Sequence, residues 1–349
     1  MDTTVLKCPT CGSNLQFNAE TQNFKCDFCG SAFAQEEIFK ITTDSGEDTK
    51  TQGRDIENQP ELNLFACKNC GAEMVTDENT AATFCVYCGS AGIMKSRLEG
   101  KFRPELIIPF KTTKQDAINA YNEYRKGKRL APDEFGKKEN IEKITGVYIP
   151  FWLYDGNSRG FVSGEREVAG RSWRRGDYRC TEYKVYHVER AGDISFEKVP
   201  ADGSKKFDDD TMDSIEPFDF NEFQPFNYSF LSGFLAEKYD VGPEEDKERA
   251  QLRMGNTLIA SLDSTIQGIL SKREETKQTV FTGTRYAMLP VWMLNTKIKD
   301  KTYTFAMNGQ TGRMVGNIPI DKAKSWIYFL ISTLIAMAVV CGFSYLFFM

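Results

Sequence analysis

A chain of 349 residues, 41% hydrophobic and 27% charged, has the composition of ordinary globular protein and enough length for two or three domains. Its charge is uneven: residues 1–100 hold 8 Lys+Arg against 15 Asp+Glu, a formal −7, which removes the basic footprint that phosphate binding requires from that part. A single histidine, His187, excludes most Ser-His, Cys-His and His-metal catalytic schemes.

Eight of the ten cysteines lie in residues 1–100; the others are Cys180 and Cys341. Cys8-Pro-Thr-Cys11-Gly and Cys26-Asp-Phe-Cys29-Gly form one module, and Cys67-Lys-Asn-Cys70-Gly and Cys85-Val-Tyr-Cys88-Gly form a second, offset by 59 residues throughout. Gly12/Gly71, Phe28/Tyr87, Gly30/Gly89, Ser31/Ser90 and Ala32/Ala91 match at the same offset, which marks an internal duplication. A Cys-x-x-Cys turn points two thiolates at one ion, and the glycine after it permits the positive φ that turns backbone amides toward sulfur. Two such turns joined by a short β-hairpin complete a tetrahedral four-sulfur shell suited to Zn²⁺. The expectation is two structural zinc ribbons, with Cys8, Cys11, Cys26 and Cys29 on one ion and Cys67, Cys70, Cys85 and Cys88 on the other. A rubredoxin-like iron site and a pair of redox dithiols are the alternatives.

With every ligand supplied by protein, no coordination position is open to substrate, so the sites read as structural rather than catalytic. The ribbons are expected over residues 1–35 and 65–100, with a flexible acidic linker over 36–64 that includes the polar tract Thr42–Asn58. Their acidity favours docking to protein over nucleic acid.

From residue 101 to 324 the pattern is that of an α+β domain with an antiparallel sheet. Glu105–Phe110 reads as a strand, followed by a helix whose Thr113 and Asp116 have capping-box spacing. Gly146–Asp155, Phe161–Val168 and Tyr178–Glu189 read as a meander. A helical block is expected over Asn227–Tyr239. A long helix opens at Pro243, with Leu252, Ile259, Leu262, Ile266 and Ile269 as the stripe that packs on the sheet rather than forming a coiled coil. Thr279–Phe281, Tyr286–Thr296, Thr302–Met307 and Arg313–Ile318 are strand-like, with a hairpin turn at Asn308-Gly309. Tyr148-Ile-Pro150-Phe-Trp152 and Met288-Leu-Pro290-Val-Trp292 share a Pro-x-Trp pattern that points to two related sheet units, and prolines in strands indicate edges or bulges. Arg171–Arg175 reads as a solvated loop or as a contact for anionic headgroups, His187 as an ordinary sheet residue, and Asp208–Asp210 lacks the alternating spacing of a calcium loop.

Residues Trp326–Met349 carry no charge; 24 residues of helix reach ~36 Å at ~1.5 Å each, enough for a ~30 Å hydrocarbon core. Aromatic residues at both ends and Lys322 and Lys324 before it fit a single-pass tail anchor in the cell membrane. With no export signal ahead of it, residues 1–324 are expected in the cytosol.

The paired CxxCG modules, GVYIPFWLYD, YSFLSGFLAEKYD, LPVWMLN, YTFAMNGQTGRMVG and the hydrophobic tail, in that order, resemble the YdjG-like bacterial proteins. That family is described as membrane-anchored double zinc-ribbon proteins of "TFIIB-type zinc ribbon-containing" type. The resemblance implies partners of phage-shock-A-like or flotillin-type SPFH kind, and a non-enzymatic adaptor that gathers such scaffolds at the cytosolic membrane face in envelope stress. A membrane-held nucleic-acid or transcription-linked factor and a thiol-redox enzyme are the competing readings.

Overall fold

The computed structural model describes residues 8–13, 15–44, 63–67, 71–76, 85–87, 93–96, 104–206, 209–231, 233–298 and 301–348. Cys70, Cys88, Gly89, Ser90, Ala91, Asp208 and most of the expected linker lie outside them. The first cysteine module forms strands β1 (Leu15–Asn18), β2 (Asn23–Cys26) and β3 (Ala32–Phe33), followed by helix α1 (Gln35–Asp44). The second forms β4 (Asn63–Cys67), β5 (Glu73–Thr76) and β6 (Ile93–Ser96). Then come β7 (Leu106–Ile107), α2 (Lys114–Arg125), α3 (Lys138–Ile141), β8 (Thr145–Arg175), β9 (Tyr178–Asp202) and α4 (Asp209–Ile215). The chain continues through β10 (Gln224–Pro225), β11 (Leu235–Glu237), α5 (Pro243–Ser264), β12 (Ser271–Ile298), β13 (Lys301–Asn308), β14 (Met314–Gly316) and α6 (Lys322–Phe348). β1–β3 make a separate sheet; the other eleven strands make one.

The two Pro-x-Trp segments lie at the centre of that larger sheet, antiparallel in β8 and β12, with Ile149 opposite Leu289. Both are apolar runs rather than alternating patterns, as expected where both faces are covered. Val147, Ile149 and Phe151 join Leu289, Val291 and Met293 in the core on one face, with α4 and the second cysteine module. Tyr148, Trp152 and Tyr154 join Met288, Trp292 and Leu294 in the core on the other, with α2, α5 and the first module. The two modules therefore occupy opposite faces.

Each Pro-x-Trp strand is surrounded by the same contacts. β11 runs parallel to β8 at Val147 and Tyr148, and β7 runs parallel to β12 at Ala287 and Met288. Gly203 N–H donates to the Pro150 carbonyl and Gly309 N–H to that of Pro290, both at 2.8 Å. Trp152 Nε1 donates to the Val241 carbonyl, and Trp292 Nε1 to Thr112 Oγ1, both at 2.9 Å. Two β-α-β-β units, one built on β7, α2, β8 and β9 and the other on β11, α5, β12 and β13, thus share a ladder around a local two-fold.

Several expectations need correction. The sheet is mixed, because β7 and β11 pair in parallel. Pro150 and Pro290 sit mid-sheet: a residue's N–H and C=O point to the same side of a strand, so each missing donor falls where the neighbouring strand changes, from β11 to β9 or from β7 to β13. The expected meander is a single hairpin of strands 31 and 25 residues long. Its internal glycines, which look like turn signals, are points of close approach to α5 and β12: a Cβ at Gly156 would meet Met254 Sδ at 3.4 Å, and one at Gly160 would meet Leu258 Cδ2 at 3.2 Å. Arg171–Arg175 belong to the strand at the hairpin tip rather than to a loop, with Ser172–Arg175 paired to Tyr178–Thr181 and Arg171 in a register shift. Among the described residues of Asn227–Tyr239 there is no α-helix; a 3₁₀ turn at Tyr228–Leu231 precedes β11, which bridges β8 and β5. α5 ends at Ser264, and its buried face is Ala250, Met254, Gly255, Leu258 and Ile259, so Leu252 and Ile269 are exposed. The segment assigned to a linker from residue 36 begins within α1. The Thr113–Asp116 capping box is present, with reciprocal bonds of 3.2 and 2.8 Å.

The packing at Gly160 is testable. An added Cβ there would fall on the Thr276 carbonyl oxygen of the partner strand, whereas one at Gly170 would meet nothing closer than 3.5 Å. Gly160→Ala should cost about 1–3 kcal/mol of unfolding free energy in denaturant titration of the detergent-solubilised chain, with Gly170→Ala close to wild type.

Candidate metal centre

In the first module, β1 and β2 pair from Leu15↔Cys26 to Asn18↔Asn23, closed by Asn18 Oδ1, which accepts from Glu20 and Thr21 N–H at 2.9 and 3.0 Å. Leu15, Phe17 and Phe24 turn inward, and the pairing carries Cys26 beside the Cys8–Gly12 turn. Both turns have one backbone pattern. Gly12 N–H donates to the Cys8 carbonyl and Gly30 N–H to that of Cys26, each at 2.8 Å, with φ of +71° and +75°.

The result is a cluster in which the Sγ atoms of Cys8, Cys11, Cys26 and Cys29 all lie within 4.8 Å of one another. Cys8–Cys29 and Cys11–Cys26 are 3.6 Å apart. A disulfide needs about 2.05 Å. Four thiolates around Zn²⁺ at ~2.3 Å lie about 3.8 Å apart at the edges of a tetrahedron. The donor set therefore fits a four-sulfur metal site. Hydrogen bonding with Ser31, through its side chain first and then its backbone, draws the Cys29 thiol down to about 6, while in the same cluster the Cys11 thiol, against a lowering hydrogen bond from Ser13, is pushed up to about 11 by burial and the neighbouring thiols.

In the second module, Gly71 N–H donates to the Cys67 carbonyl and Cys67 N–H to that of Ala72, both at 2.9 Å, with Gly71 at φ +73°. This is the turn seen at Cys8 and Cys26. Cys67 and Cys85 are buried; Cys70 and Cys88 lie outside the described residues. The module's strands enter the large sheet through β5, which pairs with β11 at Ala236↔Val75 and Glu237↔Met74. Val86 and Tyr87, between its last two cysteines, sit in the core against that sheet. Asn295 Nδ2 donates to the Val86 carbonyl. Ser204 Oγ donates to the Glu237 carboxyl at 2.7 Å, and burial first, then the charge of Glu237, raises the Tyr87 hydroxyl.

Three buried acids had no signal in the sequence. Burial raises Glu237 to about 8, Asp246 to about 7 and Asp202 to about 6. Asp202 accepts from Arg249 Nη1 at 2.5 Å, while Arg249 Nη2 reaches Asp213 at 2.6 Å, so this group ties α5 to β9 and α4. Asp209, from the acidic run, pairs with the same arginine at 3.2 Å. His187 is an exposed residue of β9 opposite Glu165.

Among the described residues, α6 is the one helix long and apolar enough to cross a membrane, over Lys322–Phe343, and the apolar part of that stretch has no residue fully buried in the protein. Asp321 Oδ1 accepts from Ala323 N–H at 2.8 Å at the helix start. Lys324 Nζ bonds the Ala131 carbonyl at 2.8 Å and Asp133 at 2.6 Å, fixing the helix start to the α2–α3 connection.

Fold and site define a sheet-rich protein with a metal-competent four-cysteine cluster and one apolar helix able to span a bilayer. The chain is 35% identical over 325 residues to the uncharacterized protein YdjG of Bacillus subtilis (strain 168), covering 93% of this chain and 92% of that protein, and it belongs to the YdjG family. No protein-family model matches it. No solved structure matches it either.

Two outcomes follow. Cys26→Ser should remove one metal equivalent by elemental analysis and open β1–β3 to protease, since metal supplies ~10–16 kcal/mol in small four-ligand modules. Because burial raises the Glu237 carboxyl, its contribution to stability is whole below about 4.5, its ordinary value, and is lost as pH rises through about 8. Glu237→Gln should flatten that loss, matching wild type near pH 5 and exceeding it near pH 8.5 by on the order of 1–3 kcal/mol in denaturant titration.

Proposed function

We propose that the protein is a non-enzymatic adaptor, anchored by α6, whose two cysteine modules are structural zinc ribbons that dock scaffold proteins of SPFH or phage-shock-A-like kind at the cytosolic membrane face. The observation that carries this reading is the four-cysteine cluster: protein supplies the complete tetrahedral shell, which gives the ion a role in holding shape rather than in turning over substrate. Zinc is favoured over iron because closed four-cysteine sites on short hairpins are its common structural use, and zinc does not cycle between redox states.

Orientation in the cytosol is supported by Lys322 and Lys324 at the head of the span and by thiols grouped for a metal rather than paired. The family resemblance supplies the class of partner. The acidic balance of residues 1–100 argues against nucleic acid as the docked species. At ~3.3 Å per residue β8 extends on the order of 100 Å, and the basic tip of its hairpin, Arg171–Arg175, stands at the far end from Thr145.

Co-expression with a phage-shock-A-like scaffold from the same cell tests the proposal. The scaffold's share in the membrane fraction should rise with the full chain and return to its basal level when residues 326–349 are deleted. An unchanged distribution would contradict the adaptor role, and a truncated chain that still sediments with membrane would contradict the anchor.

A further inference from the structure

The two modules are duplicates in sequence, yet the structure uses them differently. At the offset of 59 residues, Asp27-Phe28 corresponds to Val86-Tyr87. In the second module this turn is a plug: Val86 and Tyr87 are 5% and 8% exposed, in one core with Val147, Ile149 and Met293, and Asn295 holds the Val86 carbonyl. In the first module the same turn faces outward, and Phe28 is 83% exposed.

The first module does not need that turn to hold its place. It is attached through its hairpin: Phe17 meets Phe230 edge-on at 5.3 Å, Phe24 lies 6.1 Å from the same ring, and Gln22 Nε2 donates to the Phe110 carbonyl at 2.8 Å. Its exposed turn is held by the Cys26 and Gly30 backbone bonds, so little conformational freedom remains to be lost on binding.

We propose that the Cys26–Cys29 turn, led by Phe28, is the docking point for a partner protein, and that it seats as the second module's turn seats on its own sheet. The partner surface is an apolar slot with a basic rim. The slot follows from the aromatic side chain, which unlike Tyr87 carries no hydroxyl to satisfy. The rim follows from charge: Asp27, next to Phe28 in the chain, is exposed, residues 1–100 carry a formal −7, and four thiolates around Zn²⁺ would add two negative charges. This rests on the adaptor reading above and specifies which surface performs it.

The test uses the full-length chain in its native membrane, with the photo-crosslinker p-benzoylphenylalanine at position 28, at Lys25 on the same module, or at Tyr87. Position 87 should crosslink within the chain, to β11. Position 28 should give one dominant adduct to a different protein, mapped by mass spectrometry to an apolar peptide flanked by Lys or Arg, about tenfold or more above position 25. Phe28→Ala should lower recovery of that same protein about tenfold or more, with metal content unchanged. An adduct to lipid, to a second copy of this chain, to an acidic peptide, or no adduct would overturn the proposal. If the scaffold still moves to membrane with Phe28→Ala, the docking point is wrong and the adaptor reading stands; if wild type fails to move it, the adaptor reading falls first.

Discussion

The pairing of β8 with β12 around Ile149 and Leu289 is the contact on which the rest of the molecule depends. Both strands are apolar on both faces there, so neither face can be left to water, and at ~25 cal/mol per Å² their burial is a large driving term. Each face must be covered. α2, α5 and the first cysteine module cover one, and α4 and the second module cover the other. The same strands then run on past Gly164, where most side chains are exposed, into a hairpin whose tip no helix covers. One pair of strands is thus both the core and the root of a projecting arm.

The cysteine modules meet the same physics on a smaller scale. Hairpins of four-residue strands bury too little apolar surface to offset the entropy of ordering their turns. A metal held by the four thiolates of the first module would supply what its core lacks, and attachment to the large sheet adds to the stability of both modules. The second module gives up its strands and its Val86-Tyr87 turn to that sheet, while the first keeps its own sheet and leans on Phe230 through its hairpin. Duplicated sequence has therefore produced one module built into the fold and one carried upon it. The difference lies in what each turn touches, not in its cysteines.

Features that depend on neighbours in sequence were legible from the chain alone: the cysteine turns closed by positive-φ Gly12, Gly30 and Gly71, the Thr113–Asp116 capping box, and the apolar helix. Features set by distant neighbours were not. Gly156 and Gly160 read as breaks in a meander because the chain does not announce that α5 will press against them. β11 reads as helix because its strand identity comes from lying between β8 and β5. Pro150 and Pro290 read as edge residues, although the exchange of neighbours around each strand makes room for a missing donor. Glu237, Asp246 and Asp202 carry no mark in the chain of the burial that tertiary packing gives them.

The central proposal is that the chain, held at a membrane by α6, works by holding a protein partner. Isolation of the full-length protein from its native membrane in mild detergent, with quantitative mass spectrometry of what stays bound, tests it most directly. The account predicts near-stoichiometric recovery of an SPFH or phage-shock-A-like scaffold, lost when Cys8 is changed to Ser. Recovery of polymerase or nucleic acid in its place, or of the chain alone, would contradict it.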